Sequence, residues 1–141
     1  MKILVINGPN INMLGIREPG IYGQSSFADL LKLLEQTAKD EGIQIDQYQS
    51  NHEGCLVDKI QEAFGVYDGI VINPAAYTHT SIAILDALKA VGIRAVEVHI
   101  SDVDHREDFR KISYPGLACV KTIKGHGIEG YREAIEFLIH R

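Results

Sequence analysis

Short runs rich in β-branched residues alternate along the chain with longer amphipathic stretches. KILVIN (2–7), IQIDQYQ (43–49), GIVIN (69–73), RAVEVH (94–99) and LACVKTI (117–123) predict strands. Between them, SFADLLKLLEQTAKDEG (26–42), CLVDKIQEAFG (55–65) and SIAILDALKAVG (81–92) predict helices, each closed by a glycine. HREDFRKI (105–112) predicts a short helix at best, and IEGYREAIEFLIH (128–140) predicts the last one. In the first helix Phe27, Leu30, Leu31, Leu34 and Ala38 fall on one stripe, and Ser26 with Asp29 forms a weakened capping box. The first, third and fourth strands are apolar over several successive residues, as strands covered on both faces should be. Five strands alternating with helices predict an α/β fold. At this length the expected form is a single flavodoxin-like domain over 1–141, three-layered, with a five-stranded parallel sheet in the order 2-1-3-4-5.

Ligands of such a sheet bind outside the carboxyl ends of its strands. Polar residues gather there: NGPN after strand one, SNHEG (50–54) after strand two, NPAAYTHTS (73–81) after strand three and EVHIS (97–101) at the end of strand four. The opposite edge carries ordinary turns. The asymmetry predicts one polar site for a small hydroxylated or anionic molecule. Strand one also leads into NGPNINMLGIREPGIYGQSS (7–26), far longer than the roughly two to six residues that a strand-to-helix turn needs.

Each element has a simpler reading beside the functional one. Asn7 and Asn10 could tie a turn through their side chains. Glu97 and His99 flank Val98 and share a strand face, either as a structural pair or as a carboxylate that favours the imidazolium. Arg106 and Arg110 are four apart on one helical face, where solvation is the common fate. His52 and Glu53 could brace loops, and Thr80 and Ser81 could cap the third helix.

Composition narrows the classes. The 141 residues carry a formal net charge of −5 and a pI near 5.6, which speaks against nucleic acid or an anionic membrane as partner. Cys55 and Cys119 lack ligand spacing and read as packed thiols. The N-terminus lacks the apolar length of a signal peptide, and no segment approaches a membrane span, so a cytoplasmic protein is expected. GHGIEG (125–130) matches G-x-G-x-x-G, but no second strand or distant acidic residue follows it, so close packing is its expected role. His52, His79 and His99 share an edge with Glu53 and Glu97, yet without paired ligand spacing; no metal and no cofactor is expected.

NGPNINMLGIREPGIYG, QSNHEG, INPAAYTHTS and EVHIS…REDFR…SY resemble, in order and spacing, the type II 3-dehydroquinate dehydratases, from Lys2 to about Tyr131. The resemblance implies cofactor-free elimination of water from 3-dehydroquinate to 3-dehydroshikimate through an enolate, in the shikimate pathway. It implies Tyr22 as the base, Arg17 as the cation that favours its phenolate, and Arg106 as an assistant. His99 is implied as the acid, with Glu97 orienting it, and Asn10 as holder of a water against the enolate oxygen. Asn73 and the backbone N–H groups of Ile100 and Ser101 would hold the substrate carboxylate. His79 and Arg110 would hold ring hydroxyls. Asp86 would come from a neighbouring subunit of a dodecamer, a tetramer of trimers. The loop at about 15–26 would then be a lid carrying Arg17 and Tyr22.

Three positions depart from the family pattern: Leu85 where Arg is common, Asp102 where Asn is common, and His126 between two glycines. Asp102 adds a negative charge beside the implied carboxylate site and, unless paired with a cation such as Arg106, should weaken binding; altered affinity or pH dependence is expected, not lost activity. The rival readings are a metal-dependent lyase or hydrolase at the same edge, and a catalytically silent protein that binds small acids.

Overall fold

The structure, a computed structural model, describes residues 1–16, 25–102 and 107–140. Five parallel strands form one sheet in the order β2-β1-β3-β4-β5. They are β1 (Lys2–Asn7), β2 (Gln44–Gln49), β3 (Gly69–Asn73), β4 (Ala95–His99) and β5 (Lys121–Lys124). The helices are α1 (Phe27–Glu41), α2 (Glu53–Glu62), α3 (Ile82–Val91) and α4 (Glu129–Ile139). The expected order and class hold.

Strand alternation sorts the core into two layers. Ile3 and Val5 of β1, with Val71, Val96 and Val98, pack against α1 and α4. Leu4 and Ile6, with Ile70, Ile72 and Ala95, pack against α2 and α3. β1, β3 and β4 are therefore buried on both sides, and each fully buried Ile, Leu or Val contributes about 1.5–3 kcal/mol.

Local signals set the helix ends. The Ser26 hydroxyl accepts from the Asp29 N–H while the Asp29 carboxylate accepts from the Ser26 N–H, a complete capping box. Ser81 caps α3 by accepting from the Ile84 N–H. Gly42 and Gly92 stop α1 and α3 in the left-handed conformation, each at φ 64°.

Several boundaries differ from expectation. α2 begins at Glu53 and ends at Glu62, and its glycine, Gly65, lies in the turn beyond. In α1, Leu31 is exposed and Thr37 is buried instead, its hydroxyl donating to the Leu33 carbonyl at 2.7 Å. A hydroxyl that satisfies itself on its own helix can face the core at little cost. LACVKTI is strand only from Lys121, because residues Pro115–Ala118 form a 3-10 turn first. The described part of 105–112 is likewise a 3-10 turn, Asp108–Lys111.

Candidate active site

A cavity opens at the carboxyl edge of the sheet. Its polar lining is Asn10, Asn73, His79, His99, Ser101 and Arg110, and Ile11, Met13 and Leu14 give it an apolar wall. These residues come from every connection that follows β1, β3 and β4. Gly8 must be a glycine for those connections to meet: a Cβ there would lie 2.4 Å from the Pro74 carbonyl oxygen. Its own N–H donates to the Asn73 carbonyl at 2.8 Å.

On the face of the sheet toward α2 and α3, Glu97 and His99 are both buried. His99 Nε2 lies 3.4 Å from Glu97 Oε1, an ion-pair distance without hydrogen-bond alignment. Ser113 donates to Glu97 Oε2 at 2.5 Å and Thr122 donates to Oε1 at 3.1 Å. Burial pushes the Glu97 carboxyl up, but His99, Ser113 and Thr122 together outweigh it and hold the group below the usual carboxylate range. Glu97 is thus a charged carboxylate set against the imidazole. Gly116 lets this cluster close: its N–H donates to the Ser113 hydroxyl, and a Cβ there would meet that oxygen at 2.7 Å. A second cavity lies beyond the pair, lined by Thr78, Ser113 and Lys124 among others, with His99 and Arg110 shared between the two. Thr78 Oγ1 and His99 Nε2 are buried with no hydrogen-bond partner among the described residues.

On the opposite face, Asn7 and Asn73 end neighbouring strands in register. Tyr131 of α4 joins them, donating to Asn7 Oδ1 at 2.6 Å and accepting from Asn73 Nδ2 at 2.9 Å. Asn7 therefore belongs to a buried network and does not cap a turn.

His79 Nδ1 lies 2.8 Å from the Ile112 carbonyl and must donate to it. Burial, opposed by that carbonyl, holds the ring below the usual imidazole range. The neutral ring then presents Nε2 as an acceptor, which suits a hydroxyl ligand. Arg110 binds Glu107 through Nε at 2.7 Å.

The GHGIEG run buttresses the site. Gly125 donates to the His99 carbonyl and Gly127 to the Ile100 carbonyl, both from left-handed conformations at φ 83° and 61°. Gly130 packs against Ile123 and Val98. His126 pairs with Glu133 at 2.8 Å, on the surface.

The cavity thus brings together Asn10, Asn73, His79, His99, Ile100, Ser101 and Arg110. Glu97 stands behind His99. Arg17, Tyr22 and Arg106 lie outside the described residues, as does most of the expected lid. The described ends of this stretch meet: Gly15 packs against Ser25 and Ser26, next to Leu14 of the cavity wall. Asp86 is exposed on α3 and does not line the cavity, while Leu85 points into the core. His52 sits exposed at the start of α2. Cys119 is packed, and burial, helped by the Glu97 charge, pushes its thiol up to about 12. Ser113, Gly116, Thr122 and Tyr131 reach the site across long stretches of chain and carry no local signal in the sequence.

The class II dehydroquinase family matches residues 1–139. A 3-dehydroquinate dehydratase from Lachnoclostridium phytofermentans is 55% identical over 140 residues, 99% of this chain and 97% of that protein. The crystal structure of a type II dehydroquinase from Butyrivibrio crossotus superposes with a TM-score of 0.97 at 53% identity, covering 99% of this chain and 97% of that one. That of a type II dehydroquinase from Propionibacterium acnes gives 0.94 at 38% identity, with the same coverage.

Proposed function

The chain belongs to the class II dehydroquinase family, and from that premise we propose which of its residues carry the chemistry. Its activity is that of a 3-dehydroquinate dehydratase, a hydro-lyase of the shikimate pathway that converts 3-dehydroquinate to 3-dehydroshikimate. One catalytic domain spans the chain, and its lid covers about 15–26.

The proton lost from C2 is acidified by the C3 ketone, and the leaving hydroxyl stands β to that ketone on C1. Tyr22, as phenolate beside Arg17 and Arg106, takes the C2 proton. The electron pair moves onto the C3 oxygen, giving an enolate, with a water held by Asn10 against it. The enolate then collapses to the conjugated ketone and expels the C1 hydroxyl, which takes a proton from His99 and leaves as water. Asn73 and the N–H groups of Ile100 and Ser101 hold the carboxylate; His79 and Arg110 hold ring hydroxyls. The observation that carries this reading is the Glu97–His99 pair, which is buried, charged on its carboxylate, and open to the cavity through the imidazole. A protein that merely binds small acids has no use for such a pair, and that alternative is not favoured. The proposed location is the cytoplasm.

The reaction is expected to proceed without a metal. Purified protein in excess chelator, given 3-dehydroquinate, should form the conjugated enone product at an undiminished rate, followed by ultraviolet absorbance. Loss of activity that a divalent ion restores would overturn the cofactor-free mechanism.

The assembly is proposed to be a dodecamer of four trimers, in which Asp86 reaches a neighbouring chain's site. The exposure of Asp86 and of Ile82 one turn earlier supports it. Light scattering should give the dodecamer mass, and Asp86→Ala should raise KM without changing that mass. A fully active monomer would sink the idea.

A further inference from the structure

The buried network behind the carboxylate site has only one possible direction. Ala75 N–H lies 3.1 Å from one end of the Asn73 amide, and a backbone N–H can only donate. That end is therefore the oxygen. The nitrogen, Nδ2, then faces the Tyr131 hydroxyl at 2.9 Å and donates to it. The single proton of Tyr131 is left for Asn7 Oδ1 at 2.6 Å. Asn7 Nδ2 in turn donates to Gln47 Oε1 at 3.1 Å. Reversing the Asn73 amide would set NH2 against the Ala75 N–H, donor against donor. Ala75 itself is held at φ 54°, an unusual conformation for a residue with a Cβ.

The relay is shielded at its centre, and Gln47 at its far end is partly buried. Asn7 and Tyr131 have no exposure, and Asn73 has 3%. Burial raises the Tyr131 phenol well above its usual value of 10.0, so it remains a proton donor across the working pH range. The planar Asn73 NH2 carries two hydrogens. One is fixed on Tyr131; Asn73 lines the cavity, and the second hydrogen is the one available there.

We propose that Tyr131 is a positioning residue for the substrate carboxylate: with the Ala75 N–H holding the oxygen end, its hydroxyl binds one hydrogen of the Asn73 NH2 and pins the amide in the plane that offers the other hydrogen to the anion. This rests on the reading that Asn73 binds the carboxylate. A flipped or freely rotating amide would present a lone pair to a negative charge. Tyr131 reaches this position from α4, on the other side of the molecule's chain order, and touches no substrate.

Steady-state kinetics with 3-dehydroquinate test it, using Tyr131→Phe, Asn73→Ala, the double variant and Ile135→Val, which loosens the same helix without touching the relay. Tyr131→Phe is expected to raise KM about tenfold, the scale of one lost buried hydrogen bond, with kcat changed less than about twofold. The double variant should match Asn73→Ala, and Ile135→Val should keep the wild-type KM. An unchanged KM in Asn73→Ala would remove the carboxylate reading, and the proposal with it. A raised KM in Asn73→Ala with an unchanged one in Tyr131→Phe would leave that reading standing and overturn the proposal alone. So would additive effects in the double variant, or an equal rise in Ile135→Val. Should Tyr131→Phe fail to fold, hydrogen exchange of the Asn73 side-chain NH2 in the wild type decides: slow exchange is expected, and exchange at the rate of a free amide would overturn it.

Discussion

Tyr22→Phe is expected to lower kcat by about a thousandfold, within the roughly 10²–10⁴ that a positioned general base supplies. The change removes one oxygen and keeps the ring. A phenol ordinarily ionises near 10, so as a base at neutral pH it needs a cation that favours its phenolate. Arg17, five positions earlier in the same segment, is that cation in the proposed mechanism. The rest of the site should be untouched, since Asn73, His79, His99 and Ser101 come from elements anchored in the sheet. KM should therefore stay within a fewfold of the wild-type value, and the thermal midpoint should not move. A thousandfold loss is about 4 kcal/mol of transition-state stabilisation, at roughly 1.4 kcal/mol per tenfold. Residual activity should come from His99 and the carboxylate cradle. A variant with kcat within about threefold of wild type would assign the base elsewhere.

What could be read in advance followed from periodicity. β1, β3 and β4 are buried on both faces and announce themselves as apolar runs. Glu97 and His99 share a face because strand side chains alternate, and Val98 duly packs on the other side. The run 117–123 misled because two of its apolar residues do not face the core: Leu117 is 71% and Val120 54% exposed, and of the strand proper only Ile123 is buried. The partners of the site were illegible for a different reason. Ser113 and Thr122 meet Glu97 from 16 and 25 residues away, and Tyr131 meets Asn7 from 124. No local pattern encodes such meetings; they arise when strands and helix close on one another. The glycines of GHGIEG carried the opposite lesson. A motif that looks like a nucleotide loop serves here to hold the His99 and Ile100 carbonyls.

Glu97→Gln is expected to lower kcat by about a hundredfold while leaving the protein folded, a loss at the lower end of what general acid catalysis contributes. The substitution keeps shape and volume at a buried position, 1% exposed. It removes the charge. In the wild type the charged carboxylate stands 3.4 Å from His99 Nε2 and holds the imidazole that gives a proton to the leaving hydroxyl in the proposed mechanism. Without that charge the loss should fall on kcat and leave KM within a fewfold of the wild-type value. A merely structural role for Glu97 would lower the thermal midpoint and leave kcat close to the wild-type value. Ser113 and Thr122 both donate to the wild-type oxygens, and one of them must turn away from the new NH2. Hydroxyls rotate, so that cost is modest. Stability against acid gives an independent check. The folded Glu97 carboxyl lies below its usual value of 4.5, so its contribution is complete above 4.5 and is lost as pH falls through the lowered folded value. Unfolding midpoints of wild type and variant should therefore converge on acidification below that range. Midpoints that stay equally far apart down to the lowest pH, together with an unchanged kcat, would show that Glu97 is not the charged partner of His99.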